Sequence, residues 1–167
     1  MKKYLVIGNP IEHSLSPKLH NYWIKKNNLD AAYDKKRLNE SDIKGIIDEV
    51  KNGKIDGINV TVPFKKSVIP FLDKLTPLAN ETRSVNTIYK EKENAIDVVV
   101  GDNTDVGGFK QSLEYINYKV KNKKIFILGA GGVVPSILKA LEKLEAAKVY
   151  ISNRTKEKAK DLESYYK

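Results

Sequence analysis

The stretch Lys123–Gly132, KKIFILGAGG, limits the folds open to this chain more than any other segment. Ile125 to Leu128 make an unbroken apolar run that stops at once in Gly129-Ala130-Gly131-Gly132, and a helical apolar pattern follows over roughly 132–145. A short continuous apolar run fits a strand covered on both faces, as in a parallel sheet. Parallel neighbours must be joined by a crossover, most simply a helix. The segment KVYIS, 148–152, reads as the parallel partner, with another helix beginning after it. A mononucleotide-binding unit needs the pattern β-α-β-α-β; residues 123–167 hold β-α-β and part of the next helix.

Upstream, strand-like and helix-like periods alternate in the same way. YLVIG (4–8) and AAYDKKRL (31–38) read as strands around a helical stretch at 17–28. Ser41-Asp42, followed by Ile43, Ile46, Ile47 and Val50, predicts an N-cap and a helix to about Lys51. GINVTV (57–62), VNTIYK (85–90) and IDVVVG (96–101) predict strands, and 65–74 and 77–83 predict helices. A helix-like segment from Gly107 to Tyr118, carrying Phe109, Leu113 and Ile116, leads into the lysine-rich Lys119–Lys124. The expected division is therefore a domain over 1–107, a connecting helix and linker over 108–122, and a partial second domain over 123–167.

Composition removes several function classes. No apolar run approaches the roughly 20 residues that span a bilayer, and the apolar stretch before Gly8-Asn9-Pro10 is too short for a signal-peptide core. The absence of cysteine excludes disulfides and thiolate metal sites and leads us to expect a reducing, cytoplasmic setting. His13 and His20, without clustered carboxylates, predict no metal site. A net charge of +9 suits an anionic ligand or a nucleic acid. Among the 30 basic residues, however, only Arg37, Arg83 and Arg154 are arginines, and the lysines are dispersed without interleaved aromatics. Nucleic-acid binding, which leans on arginine's planar fork, is the weakest reading.

Three constellations carry chemistry. His13-Ser14-Leu15-Ser16-Pro17 lies between a strand and a helix, where Ser16 is the expected N-cap and Pro17 the first helical residue. Two hydroxyls beside unpaired helix amides make a carboxylate site, although serine capping alone also explains the pattern. In Asn59-Val60-Thr61-Val62-Pro63-Phe64-Lys65, strand alternation puts Ile58, Val60 and Val62 on one face and Asn59 and Thr61 on the other, with Lys65 following at the strand's carboxyl end. Asn86 and the cluster Asp102-Asn103-Thr104-Asp105 are ordinary turn residues taken singly. Together with Lys65 they suit carbonyl reduction, because a ketone that accepts hydride must also gain a proton.

Gly129-Ala130-Gly131-Gly132 is the third, a phosphate-cradling turn in the strand-to-helix context such turns require, with Val134 in place of the last fingerprint glycine. About 24 residues past Gly129, Asn153-Arg154-Thr155 and Lys158 stand where an acidic residue would hold an NAD ribose. Cations there suit a 2′-phosphate, hence NADP, though exposed charges after a strand read as readily as surface.

In order and spacing, Ser14-Leu15-Ser16-Pro17, Asn59–Lys65, Val85-Asn86-Thr87, Asn103-Thr104-Asp105, Gly129–Gly132 and Asn153-Arg154-Thr155 resemble the shikimate dehydrogenase family over essentially the whole chain. The resemblance implies an α/β fold: an N-terminal substrate-binding domain with a mostly parallel sheet, then the first half of a Rossmann NADP-binding domain. It implies NADP-dependent interconversion of 3-dehydroshikimate and shikimate, on the route to chorismate and the aromatic amino acids, by a monomer or homodimer without nucleic-acid or membrane partners. Lys65 and Asp105 would be the catalytic pair; Ser14 and Ser16 would hold the substrate carboxylate, with Thr61, Lys65, Asn86 and Asp105 around the ring hydroxyls. Gly129, Ala130, Gly131 and Gly132 would take the pyrophosphate, and Asn153, Arg154, Thr155 and Lys158 the 2′-phosphate.

Two departures qualify the resemblance. Val133-Val134-Pro135-Ser136 replaces the usual small residues, which predicts looser packing of that helix. Family members also continue past the equivalent of Lys167, so a chain truncated there is expected to expose Ile125, Ile127 and Val149 and to bind shikimate weakly without turnover. A shikimate/quinate dehydrogenase and a non-catalytic shikimate-binding fragment are the alternatives.

Overall fold

The β-branched run from Val6 to Ile7 is buried to within a few per cent, and it sets the centre of the larger of two sheets. In the computed structural model, which describes residues 1–166, the order is β1 (Lys2–Gly8), α1 (Ser16–Lys26), β2 (Ala31–Arg37), α2 (Ile43–Lys51), β3 (Gly57–Val60), β4 (Lys74–Leu75) and α3 (Pro77–Thr82). There follow β5 (Thr87–Glu93), β6 (Ile96–Asp102), α4 (Asp105–Tyr115), β7 (Lys124–Leu128), α5 (Val134–Lys143), β8 (Lys148–Ser152) and α6 (Lys156–Lys160).

The six-stranded sheet runs β2-β1-β3-β5-β6-β4. The β1–β2, β1–β3 and β4–β6 pairs are parallel, whereas β5 is antiparallel to both β3 and β6. Asn94 and Ala95, both at positive φ, close the β5–β6 hairpin. On one face α2 lays down Ile43, Ile46, Ile47 and Val50 against Ile7, Ile58, Val60, Ile88 and Val99. Burying each such side chain stabilises the fold by about 1.5–3 kcal/mol. The smaller sheet pairs β7 with β8 in parallel.

α4 joins the two. It starts at the end of β6 and sends Phe109 and Leu113 into the core that Val120, Leu141 and Ala146 form beneath β7 and β8. α5 crosses over one face of the small sheet, so Ile125, Ile127 and Val149 are half-covered, and Val134, Ser136 and Leu138 are buried. This corrects two expectations: the helix is not loosely packed, and the uncovered residues are the opposite set, Phe126, Leu128 and Tyr150. Strand alternation is the cause, because one helix covers one face.

Four further expectations are corrected. Residues 65–74 form successive turns, one 3-10 turn at Ile69–Phe71 and the short β4 instead of a helix, because Pro63 and Pro70 interrupt it. The second helix is entered through a 3-10 turn at Glu40–Asp42; of the expected Ser41-Asp42 pair Asp42 holds the N-cap position, but its carboxylate accepts from Asn39 N at 2.8 Å instead of bonding the helix's own amides. Helix α1 begins at Ser16 itself; its N-cap position is Leu15, and Ser16 N donates to Ser14 Oγ at 3.3 Å. Val62 is 56% exposed, since β3 ends at Val60 and the chain turns before alternation returns Val62 to the core.

Gly8 closes β1 where no side chain fits: a Cβ there would lie 2.6 Å from Thr61 Cγ2 and 3.1 Å from Val62 O. Gly8→Ala is expected to cost about 1–3 kcal/mol in urea denaturation by forcing the Thr61 segment outward. The double variant Gly8→Ala/Thr61→Ser, which removes the nearest clashing methyl, is expected to recover part of the loss.

Candidate active site

Lys65 is positioned by its neighbours before its own side chain is considered. Phe64, 2% exposed, is driven into the main core, and its N–H donates to Thr61 O at 3.0 Å to close a tight turn. Val85 N then donates to Lys65 O at 2.9 Å. With the backbone held at both ends, the ammonium reaches across to Asp105, whose Oδ2 accepts from Nζ at 2.6 Å; the two side chains are 12% and 22% exposed. Asp105 stands in the first turn of α4, a favourable place for negative charge. Its other oxygen accepts from Asn86 Nδ2 at 2.7 Å. One of Lys65's three N–H groups serves Asp105, and the others remain for a ligand oxygen.

A chain of hydrogen bonds runs away from this pair. Asn86 Oδ1 accepts from Thr104 N at 3.0 Å and from Thr87 Oγ1 at 3.0 Å; Asn59 Nδ2 donates to Thr87 Oγ1 at 3.3 Å. Asn59 Oδ1 accepts the Tyr33 hydroxyl at 2.6 Å. Burial pushes the Tyr33 phenol up to about 12, a shift that the neighbouring Ser16 hydroxyl partly offsets. Tyr33 is itself clamped. Asn21 pairs with its backbone in both directions, at 2.7 and 3.0 Å, and His20 stacks on its ring at 4.2 Å. Desolvation holds the His20 imidazole below its ordinary pKa.

At the far end of that chain, Ser14, Ser16 and Thr61 line a concavity of about 280 Å³ with Val6, Pro10, Ile11 and His13. Its loop is braced from β2: Lys35 Nζ donates to Glu12 O at 2.5 Å, and Arg37 donates to Asn9 Oδ1 at 2.9 Å and to Glu12 at 3.3 Å. A larger concavity, about 790 Å³, lies elsewhere, along β8 and α6, and includes Ser152 and Asn153. It lies along the edge strand β8, lined by Leu138, Val149 and Ile151 as well as Tyr150, and is set by that open edge; the convergent polar groups are at Lys65 instead.

The glycine turn and the loop after β8 meet at the carboxyl ends of the parallel β7 and β8. Asn153 Oδ1 accepts from Ala130 N at 3.1 Å, and Asn153 Nδ2 donates to Thr155 O at 2.7 Å. Gly129 has φ +108°, and a Cβ at Gly129, Gly131 or Gly132 would meet nothing within 4 Å. The space over the turn is open to a ligand. Arg154 and Lys158 are exposed beside it.

Comparison with known proteins agrees in every part of the chain. Residues 6–88 match the shikimate dehydrogenase substrate binding domain, and residues 111–167 match the shikimate / quinate 5-dehydrogenase family. The chain belongs to the shikimate dehydrogenase family. The NADP(+) shikimate dehydrogenase of Pelagibacter ubique (strain HTCC1062) is 56% identical over 165 residues, covering 99% of this chain and 61% of that protein. That of Aquifex aeolicus (strain VF5) is 45% identical over 156 residues, 93% of this chain and 56% of the relative. Among solved structures, the Aquifex aeolicus shikimate dehydrogenase superposes with a TM-score of 0.89 at 42% identity, over 99% of this chain and 60% of that one. The Thermus thermophilus shikimate 5-dehydrogenase, in complex with NADP(H) and shikimate, gives 0.86 at 30% identity, over 99% and 61%. The chain thus spans roughly 56–61% of the length of these relatives.

Within this shikimate dehydrogenase frame, the structure brings Lys65, Asp105 and Asn86 into direct contact and gathers Ser14, Ser16 and Thr61 around one concavity. It keeps the glycine turn and the Asn153–Thr155 loop together, in a separate place. Sequence reasoning misses Tyr33 and Ser136 as site neighbours, and it marks Asn59, Thr87 and Asn103 only as motif members. Tyr33 lies in an edge strand remote in sequence from every motif, and Ser136 looks like an ordinary hydroxyl residue until the fold pairs it.

Spectrophotometric titration is expected to show one tyrosine ionising near pH 12, absent in Tyr33→Phe. Because the folded phenol is raised above its unfolded value of about 10, its contribution is complete below pH 10 and declines as pH climbs toward 12. Tyr33→Phe, which leaves Asn59 Oδ1 without this donor, is expected to cost about 1 kcal/mol at neutral pH in denaturant titration.

Proposed function

We propose that this chain forms the shikimate-binding site, and contributes the pyrophosphate-binding turn, of an enzyme that interconverts 3-dehydroshikimate and shikimate with NADP. The observation that carries this reading is the Lys65–Asp105 contact of 2.6 Å, with Asn86 on the second carboxylate oxygen. It is a proton donor held against an orienting anion at the carboxyl edge of a strand. Residues 1–107 act as the substrate domain, 108–122 as the connection and 123–167 as the nucleotide-binding part.

Ser14 and Ser16 hold the ring carboxylate through their hydroxyls, and Thr61 and Asn86 meet ring hydroxyls. Lys65 gives its proton to the ketone oxygen as that atom becomes a hydroxyl, and takes it back in the reverse direction. Asp105 keeps the ammonium aimed and balances its charge. The open glycine turn fits a nucleotide pyrophosphate: its backbone is accessible ahead of helix α5, whose own first amides are already used, Val134 N donating to Gly131 O at 3.0 Å and Ser136 N to Val133 O at 3.0 Å. Gly129 to Gly132 would hold the pyrophosphate, and Asn153, Arg154, Thr155 and Lys158 the 2′-phosphate. The hydride that reduces the ketone is supplied by NADPH when bound.

Shikimate at about 100 times its dissociation constant is expected to raise stability by about 2.7 kcal/mol, read as a rise of a few degrees in melting temperature. Lys65→Ala is expected to abolish most of that rise and, in the NADPH-oxidation assay with 3-dehydroshikimate, to lower turnover by about 10²- to 10⁴-fold. Stabilisation without turnover in the unmutated chain supports the substrate site and assigns the missing activity to the remainder of the family's fold. No thermal response to shikimate would overturn the site assignment.

A further inference from the structure

Among the described residues, four polar side chains are almost fully buried, Thr82, Ser84, Asn103 and Ser136, and they form one cluster. At its centre is Asn103, 2% exposed. Its Oδ1 accepts from Asp105 N at 3.1 Å and Val106 N at 3.3 Å, which satisfies the first amides of α4. Its Nδ2 faces three acceptors: Ser136 Oγ at 2.8 Å, Ser84 O at 2.8 Å and Thr82 Oγ1 at 3.0 Å. Two backbone N–H groups on one side and the Ser84 carbonyl on the other leave a single sensible orientation for the amide.

Ser136 lies in the first turn of α5, four residues beyond Gly132, and is completely buried. Ser84 Oγ donates to Gly132 O at 3.4 Å, and Lys139, further along α5, pairs with Glu81 at 3.0 Å. The cluster therefore joins the glycine turn and its helix to the loop that carries Asp105. We propose that the Asn103–Ser136 hydrogen bond is a positioning latch, through which the placement of α5 sets the alignment of Asp105 on Lys65.

Asp105 is two residues from Asn103, and its amide hangs on the Asn103 side chain. A shift of α4's first turn by about 1 Å would break a 2.6 Å contact and carries large catalytic penalties when it occurs in an active site. With Ser136 in place, Asn103 has more acceptors than hydrogens and is drawn toward α5. Without it, both hydrogens still find Thr82 and Ser84, so nothing is left unsatisfied and the residue can relax toward α3. Linkage adds the converse: whatever orders the first turn of α5 is felt at Asp105, and whatever orders Asp105 is felt at the glycine turn. The catalytic meaning of the latch rests on the proposed function; the mechanical coupling does not.

The test uses the full chain, isotopically labelled, with Ser136→Ala, Ser136→Thr and Ser84→Ala. Ser84→Ala is the control, since Ser84 is equally buried in the same cluster but contacts Asn103 through its backbone carbonyl, while its hydroxyl makes only the long 3.4 Å bond to Gly132 O, outside helix α5. Ser136→Ala is expected to speed amide exchange at Asp105 and Val106 about fivefold, as Asn103 relaxes toward α3 and its Oδ1 bonds to those amides weaken by the order of one net hydrogen bond. It should move the Asp105 13Cγ and Lys65 15Nζ resonances and weaken shikimate binding several-fold. Core amides such as those of Ile88 and Val99 should be unchanged. Ser136→Thr, which keeps the hydroxyl, should restore the Asp105 signals, and Ser84→Ala should leave them as in the unmutated chain. Unchanged Asp105 and Val106 signals in Ser136→Ala, or an equal response in Ser84→Ala, would overturn the latch. If the unmutated chain does not bind shikimate, the proposed function falls, while the exchange comparison still supports or overturns the latch.

Discussion

The site depends on one constraint at the end of β3: the chain must leave the sheet and at the same time bury Phe64. Thr61 O takes Phe64 N, Phe64 fills the core, and Val85 N takes Lys65 O. Three consecutive requirements of packing and backbone pairing thus leave Lys65 one direction in which to extend. The ammonium meets Asp105 because β5 and β6, antiparallel beside β3, deliver Asn86 and the Asn103–Asp105 loop to the same edge. A lysine on an exposed turn would spend most of its time in water; this one is held by the core beneath it.

Polar satisfaction does the rest of the positioning. Asn86, Asn59 and Thr87 each link a neighbour on either side, so the Tyr33 end and the Lys65 end belong to one network. No buried side-chain polar atom lacks a partner among the described residues. In a low-dielectric interior an unpaired group is costly, which makes such a network rigid once complete. The edge strand β2 takes part: its Tyr33 is secured by Asn21 and His20 from α1, and its Lys35 and Arg37 brace the serine loop. The serine-loop end and the Lys65 end are therefore built by different elements and tied together through β2.

Much of this was legible in the residues. Apolar runs and alternation locate seven of the eight strands among the described residues, β1, β2, β3, β5, β6, β7 and β8, since such patterns report which faces are buried. The four-residue glycine turn, the serine pair and NVTVPFK were recognisable because each demands particular residue types in a fixed local order. What failed was local detail under tertiary control. Pro63 and Pro70 prevent a helix over 65–74, and a 3-10 turn precedes α2 because the Asp42 carboxylate reaches back to Asn39 N. The uncovered face of the small sheet carries Phe126, Leu128 and Tyr150, not Ile125, Ile127 and Val149, because alternation distinguishes two faces without saying which one a helix will cover.

The sequence by itself determined the alternating α/β plan, the strand-turn-helix at Gly129 and the identity of the groups able to do chemistry, because these follow from side-chain type and short-range spacing. Only the tertiary structure decided that β5 and β6 run antiparallel beside β3, that Tyr33 joins the polar network, and that Asn103 meets Ser136 across 33 residues. Those contacts link positions far apart in the chain. They are chosen by how sheets pair and helices pack, and no local pattern encodes that choice.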